Sequence, residues 1–308
     1  IYIYIFFLKK KINHYKMKLI KFLILSFFIV TVIAQVPNQV PIPVLPDGTK
    51  NYNVTGGNGV KIFVEEKGDP TKLTMILCAP IMSSRLSWEV QFNDPSLNGN
   101  FHLVRYDYRG TGRSDKPTDV NAYSTDLHVL DLNAVIDSIK SDKIILVGAS
   151  FGALVSIGSM KTKKVDGFIS VSGIFNGDIP FFTNATDPSD VYQTAIDTLN
   201  LGFSFLTAKP LSDQFRSFAF GQISQLSPVF RHNKSPIPDF GKIFSSLNIP
   251  TLFLIGDKDA IVPADYSQEY VSLAKDGQKI VYTGVGHSPQ WEISQTFKND
   301  ISNFAKKF

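Results

Sequence analysis

From about Tyr52 onward the chain alternates short apolar runs with stretches in which apolar residues recur every three or four positions. Residues 60–66 read as a strand entered through the turn Gly57-Asn58-Gly59, and 73–79 and 101–106 are short apolar runs bounded by turn residues. Residues 125–141 carry Leu127, Leu130, Leu132, Val135, Ile136 and Ile139, a spacing near 3.6 that predicts an amphipathic helix. A buried strand is expected over 144–147, a helix over 151–160 and a strand over 168–171. Strands at 251–255 and 279–282, a helix at 265–274 and a C-terminal helix complete the set. Such alternation predicts an α/β fold, a mostly parallel sheet covered by helices on both faces, because each crossover between parallel strands lays a helix on the sheet.

Between Gly173 and about Ser246 the alternation stops, and the segment is rich in Phe, Pro, Asn and Ser. A structureless loop of that length is out of place in a compact domain, so residues 174–246 are expected to form a small, mostly helical cap inserted into the sheet domain. Residues 35–51, punctuated by proline from Pro37 to Pro46, read as a linker, which leaves 52–308 as the folded domain. No internal repeat is visible.

Composition agrees with a large core: of 308 residues, 44% are hydrophobic and 19% charged. The formal charge of +4 suggests anionic partners until its location is considered. Lys9, Lys10, Lys11, Lys16, Lys18 and Lys21 all precede Ala34 in a stretch without acids, and the remainder carries about −2. Nucleic-acid binding needs a basic face on the folded domain, and none is indicated. Met17-Lys18-Leu19-Ile20-Lys21 opens an apolar run over 22–34 that ends in Val32-Ile33-Ala34, the pattern of a secretory signal peptide. A membrane anchor would need about 20 apolar residues, so a stable one is not expected. Residues 1–16 read as translated sequence upstream of a start at Met17, making 1–34 an upstream segment plus signal. The expected location is secreted or in the endolysosomal lumen. Cys78 is the single cysteine, so no intrachain disulfide can form. In that compartment the sequons at Asn53, Asn184 and Asn233 become candidate glycosylation sites, expected at the surface.

The chemistry centres on Gly148-Ala149-Ser150-Phe151-Gly152, preceded by the strand-like Ile144-Ile145-Leu146-Val147 and followed by the helix-compatible Ala153-Leu154-Val155-Ser156. A turn this tight between strand and helix leaves no room for side chains flanking the serine. It exposes the hydroxyl at a helix N-terminus, where main-chain N–H groups can stabilise negative charge. A bare glycine–serine turn is common, so the flanking elements carry the argument. A serine hydroxyl also needs a base. His287, in the glycine-flanked Gly284-Val285-Gly286-His287-Ser288 after the last strand, is the best candidate; His102 and His128 read as structural or solvated, and His232 falls in the cap. The base needs a carboxylate to orient it. Asp259 and Asp257 both follow the 251–255 strand, and the order Ser150, Asp259, His287 is the one α/β-hydrolases use.

Over nearly all of 52–308 the chain resembles the α/β-hydrolase fold-1 family. Asp107-Tyr108-Arg109-Gly110-Thr111-Gly112-Arg113-Ser114 looks like the family's D-x-R-G-x-G-x-S loop, Asp131 occupies the usual acid in the helix before the serine turn, and Gly286-His287 matches the histidine motif. Gly256-Asp257-Lys258-Asp259-Ala260-Ile261-Val262-Pro263 matches G-x-x-D-x-x-V-P, which by resemblance selects Asp259 over Asp257. The resemblance implies an eight-stranded, mostly parallel sheet, a Ser150–His287–Asp259 triad, and an oxyanion hole formed by the N–H groups of Ile81 and Phe151. Ala79-Pro80 departs from the family's His-Gly after the third strand; proline has no N–H, but Ile81 keeps its own.

The expected function is hydrolysis of a carboxylic ester through an acyl-enzyme, with no metal or cofactor implied and a small, apolar acyl compound as substrate. Serine at 150 argues against the aspartate-dependent epoxide hydrolases and dehalogenases of the fold. Carbon–carbon hydrolysis and aminopeptidase activity use the same triad, and a non-catalytic binding protein on this scaffold is the alternative from another class. Phe175, Phe181, Phe182, Phe203, Phe205, Phe218 and Phe220 would either line an apolar acyl pocket or pack the cap onto the core.

Overall fold

The computed structural model describes residues 48–177, 206–209, 212–231 and 235–308. The signal-like segment, Asn184, Asn233, His232, Phe181, Phe182, Phe203 and Phe205 lie outside them. Eight strands form one sheet in the order β1-β2-β4-β3-β5-β6-β7-β8. They are β1 Lys50–Thr55, β2 Lys61–Lys67, β3 Thr74–Cys78, β4 His102–Tyr106, β5 Ile144–Ala149, β6 Gly167–Val171, β7 Pro250–Gly256 and β8 Asp276–Tyr282. β2 pairs antiparallel with β1 and β4, and every other pairing is parallel. The α-helices are α1 Glu89–Phe92, α2 Pro95–Asn98, α3 Thr125–Ser138, α4 Phe151–Ser159, α5 Asp213–Ser224, α6 Pro228–Arg231, α7 Ala264–Leu273, α8 Pro289–Glu292 and α9 Ser294–Ala305.

β3, β4, β5 and β6 are buried along their whole lengths, which is why they read as continuous apolar runs rather than alternating ones. β1 is different. Its sequence is largely polar and its outer positions, Asn53 among them, are exposed, so the strand begins inside the segment expected to be linker. α3 starts where the pattern placed it, with Ser124 Oγ accepting the Leu127 N–H, but it ends at Ser138. Its buried face carries His128 and Asp131 beside Leu132, Val135 and Ile136, while Leu130 is 47% exposed. A charge-paired aspartate can occupy an inward position that an apolar count alone would give to leucine.

The insertion between β6 and β7 contributes α5 and α6 among the described residues. Its two ends belong to the core. Phe175 is fully buried against Phe244, Phe253 and Tyr270 and stacks on Tyr266, so it packs the core rather than lining an acyl pocket. Phe218 packs on Phe215, and Phe220 is 51% exposed. Among the described residues, no helix is long and apolar enough to cross a membrane.

Candidate active site

Parallel β5, β6, β7 and β8 all end at the same edge of the sheet, and the chain places one chemically distinctive residue beyond three of those ends. Ser150 follows β5 directly, Asp259 lies in the loop after β7, and His287 lies in the loop after β8. Hydrogen bonds tie the three loops to their neighbours. Ser150 N–H donates to the Val171 carbonyl (2.9 Å), Ser172 N–H to that of Leu254 (2.9 Å), and Asp257 and Lys258 N–H to those of Tyr282 (3.0 Å) and Val285 (2.9 Å).

Ser150 adopts φ 51° and ψ −118°, a conformation that costs a non-glycine residue about 1–3 kcal/mol and persists only where the surroundings impose it. Those surroundings explain both glycines. A Cβ on Gly148 would lie 2.6 Å from the Ala153 main chain, and one on Gly152 would lie 2.4 Å from the Cys78 carbonyl oxygen. The serine is thereby held at the start of α4, as the motif predicts.

His287 and Asp259 meet. The histidine Nδ1 lies 2.8 Å from Asp259 Oδ2 and 3.0 Å from Oδ1, and both side chains are buried. Asp259 Oδ1 also accepts the N–H groups of Ile261 (2.9 Å) and Val262 (2.8 Å), which orient the carboxylate without competing for its other oxygen. Asp257, the alternative acid, accepts the Gly284 N–H at 2.6 Å and so supports the turn leading to His287. The remaining described histidines are elsewhere. His102 sits in β4 against Thr74 and Glu66, and His128 is enclosed by Tyr108, Phe151 and Phe230.

Facing the serine turn is the loop after β3. Its Ala79 carbonyl accepts the Tyr108 hydroxyl (2.8 Å), and its Pro80 carbonyl accepts the Ser83 hydroxyl (2.9 Å). The loop is therefore fixed without the histidine and glycine that the family places there. Among the described residues, neither the Ile81 N–H nor the Phe151 N–H donates a hydrogen bond. Ile81 and the neighbouring Met82 pack their side chains on a small apolar cluster of Tyr123, Leu226 and Phe230, so the insertion abuts the same loop.

The D-x-R-G loop proves structural. Arg109 forms a two-pronged contact with Asp131 (Nε–Oδ2 2.7 Å, Nη2–Oδ1 2.6 Å) and reaches the Gly57 and Ala122 carbonyls. Asp107 receives the Arg85 guanidinium (2.8 Å), the Arg85 N–H (2.9 Å) and the Arg113 N–H (2.8 Å). Arg85 also pairs with Glu65 (3.0 Å), which in turn binds Arg105. Arg85, Glu65 and Glu292 are residues that sequence reasoning missed, since none stands in a periodic or motif position that announces a partner. Among the described residues, no group of three or more His, Cys, Asp or Glu side chains is arranged to hold a metal ion.

The comparisons with known proteins agree with this fold. The sequence profile of the alpha/beta hydrolase family matches residues 76–295. The AB hydrolase superfamily protein YisY of Bacillus subtilis is 26% identical over 265 residues, covering 80% of this chain and 96% of that protein. A 2-hydroxy-6-oxononadienedioate/2-hydroxy-6-oxononatrienedioate hydrolase of Pseudomonas putida is 24% identical over 234 residues, covering 68% and 79%. Among solved structures, a protein assigned as an aryl esterase from Burkholderia cenocepacia superposes with a TM-score of 0.74 at 28% identity, over 84% of this chain and 98% of its own. The meta-cleavage product hydrolase CumD superposes at 0.69 with 20% identity, over 83% and 98%, a likeness of fold alone. The chain belongs to the alpha/beta hydrolase family.

Proposed function

We propose that the protein hydrolyses carboxylic esters through a covalent acyl-enzyme. The observation that carries the reading is the His287–Asp259 contact at 2.8 Å, at the same edge of the sheet as a serine held at φ 51° in a strand-to-helix turn. Ser150 Oγ attacks the acyl carbon while His287 Nε2 takes its proton, and Asp259 holds the ring by its Nδ1–H and stabilises the imidazolium. The N–H groups of Ile81 and Phe151 hold the tetrahedral oxyanion. Collapse expels the alcohol, which leaves with the proton from His287. A water molecule deprotonated by His287 then attacks the acyl carbon, releasing the carboxylic acid and restoring the serine hydroxyl.

The ester reading is supported by the likeness to the Burkholderia cenocepacia protein assigned as an aryl esterase, which is nearer in identity than CumD. Carbon–carbon hydrolysis is the second reading, supported by the Pseudomonas putida relative. A fluorophosphonate probe should label the wild type and not Ser150→Ala; an unlabelled wild type would remove the serine-hydrolase reading. A chain-length series of p-nitrophenyl esters, run beside a 2-hydroxy-6-oxodienoate, then separates the two bonds. Turnover of the dienoate with none of the esters overturns the ester assignment.

The location belongs to the same proposal. The 17–34 segment supports entry to the secretory pathway, and Asn53 presents an exposed side chain on the outermost strand, suited to a glycan. In a eukaryotic host, treatment with a glycosidase should increase the mobility of the secreted protein, and Asn53→Gln should remove part of that shift.

A further inference from the structure

Beyond Ser150, Asp259 and His287, the structure places a half-buried carboxylate where the loop of the candidate base meets the insertion. We propose that Glu292 is a positioning residue that couples the insertion to His287; the proposal rests on the serine-hydrolase reading above. Its two oxygens divide the work. Oε1 accepts the N–H of Gly286, the residue before the histidine, at 2.8 Å. Oε2 accepts the N–H of Ala208, in the insertion, also at 2.8 Å. The carboxylate thus ties the residue before His287 to the insertion.

Two further contacts make this a joint rather than an isolated bond. The insertion rests directly on the histidine loop: a Cβ on Gly286 would lie 2.6 Å from the Ala208 nitrogen and 2.9 Å from Thr207 Cα, so only glycine allows the approach. Trp291, next to Glu292 at the end of α8, has the same two-sided arrangement. Its indole N–H donates to the Ser87 carbonyl (2.8 Å), just beyond the loop that carries Ile81, and its ring packs on Phe215 of α5 at 5.0 Å. The last two residues of α8 therefore each hold one contact to the catalytic side and one to the insertion. Burial raises the carboxyl pKa against the pull of the main-chain donors, and Asp259 raises it further, so keeping an ionised group there is opposed by its surroundings. An apolar side chain would fill the space without that opposition but could not join the two segments.

A carboxylate presents two acceptors, whereas glutamine presents one acceptor and one donor. In Glu292→Gln the amide NH2 must face either Gly286 N–H or Ala208 N–H, and one bridge is lost. Ala208→Pro removes the insertion-side donor and sets the ring Cδ against Glu292 Oε2, so it breaks this bridge without altering the Glu292 side chain. Three measurements are made on the intact protein and both variants: the rate of fluorophosphonate labelling, kcat and KM on a p-nitrophenyl ester, and the downfield proton resonance of His287 Nδ1–H. Glu292→Gln should unfold cooperatively, lower kcat and the labelling rate on the order of 10- to 100-fold with a smaller change in KM, and broaden the downfield proton. Ala208→Pro should move the same three quantities in the same direction. If the wild type labels and both variants retain its rate, kcat and downfield proton, the positioning role is overturned while the serine-hydrolase reading stands. If the wild type does not label, it is that reading that fails. Should Glu292→Gln not fold, Ala208→Pro decides.

Discussion

His128 lies on the buried face of α3 with its ring against Tyr108, Phe151 and Phe230, and neither ring nitrogen meets a hydrogen-bond partner among the described residues. Burial, with the Arg109 charge adding to it, pushes its pKa down to about 3. The sign follows from the depressed value. The unfolded chain takes up a proton below about 6.5 while the folded protein does not, so the stability present above pH 6.5 is lost as pH falls toward 3. The loss has a slope of at most about 1.4 kcal/mol per pH unit. Urea unfolding at pH 7, 5.5 and 4.5 should show His128→Leu gaining on the wild type as the solution becomes more acidic; parallel losses in the two proteins would refute this account. At Asp259 the expected effect is on turnover instead. Asp259→Asn keeps acceptors for the Ile261 and Val262 N–H groups but favours the wrong tautomer of His287, and kcat should fall by about 10⁴ in steady-state assays.

Among the elements, the loop after β3 depends most on distant residues. Arg85 binds it through its own main-chain N–H to Asp107, and its guanidinium bridges Asp107 and Glu65 in a region from which water is excluded. Arg85→Met would leave the Asp107 carboxylate buried without its cation, a change that costs about 3–5 kcal/mol. Denaturant unfolding should register a loss of that size, and labelling of Ser150 should slow as the loop carrying Ile81 loosens. The same loop marks the limit of what the sequence discloses. The central strands and the serine turn were legible because buried parallel strands leave unbroken apolar runs and the turn has a steric code. β1 was not read as a strand because an edge strand buries little, and its residues do not form an apolar run. Ala79-Pro80 reads as a departure from the family, yet Tyr108, 29 residues away, supplies the hydroxyl that holds the Ala79 carbonyl. Leu130, counted on the apolar face, is exposed while Asp131 is buried, because the Arg109 pairing, invisible in a hydrophobic pattern, offsets the burial of the acid. Glu292 lies five residues past His287, a spacing with no periodic meaning, and its partners come from separate segments of chain.

For the molecule as a whole, stability rests on a core without a disulfide. The single cysteine, Cys78, is buried at the end of β3, where it pairs in register with Gly148 at the entry to the serine turn. Burial raises its thiol pKa to about 11, so at neutral pH almost none of it is thiolate, the form that reacts with oxidants and disulfide reagents. Its reactivity therefore reports opening of the central sheet. A chromogenic disulfide reagent should leave the native protein unmodified and label one thiol per chain as the sheet unfolds, with the labelling midpoint in urea matching that of the far-UV signal. Reductant should not shift Tm, because there is no crosslink to remove. Rapid labelling in the absence of urea would mean that the β3–β5 contact opens locally. In that case the turn that holds Ser150 would open with it, and the labelling rate should then correlate with loss of fluorophosphonate reactivity across destabilising variants such as Arg85→Met.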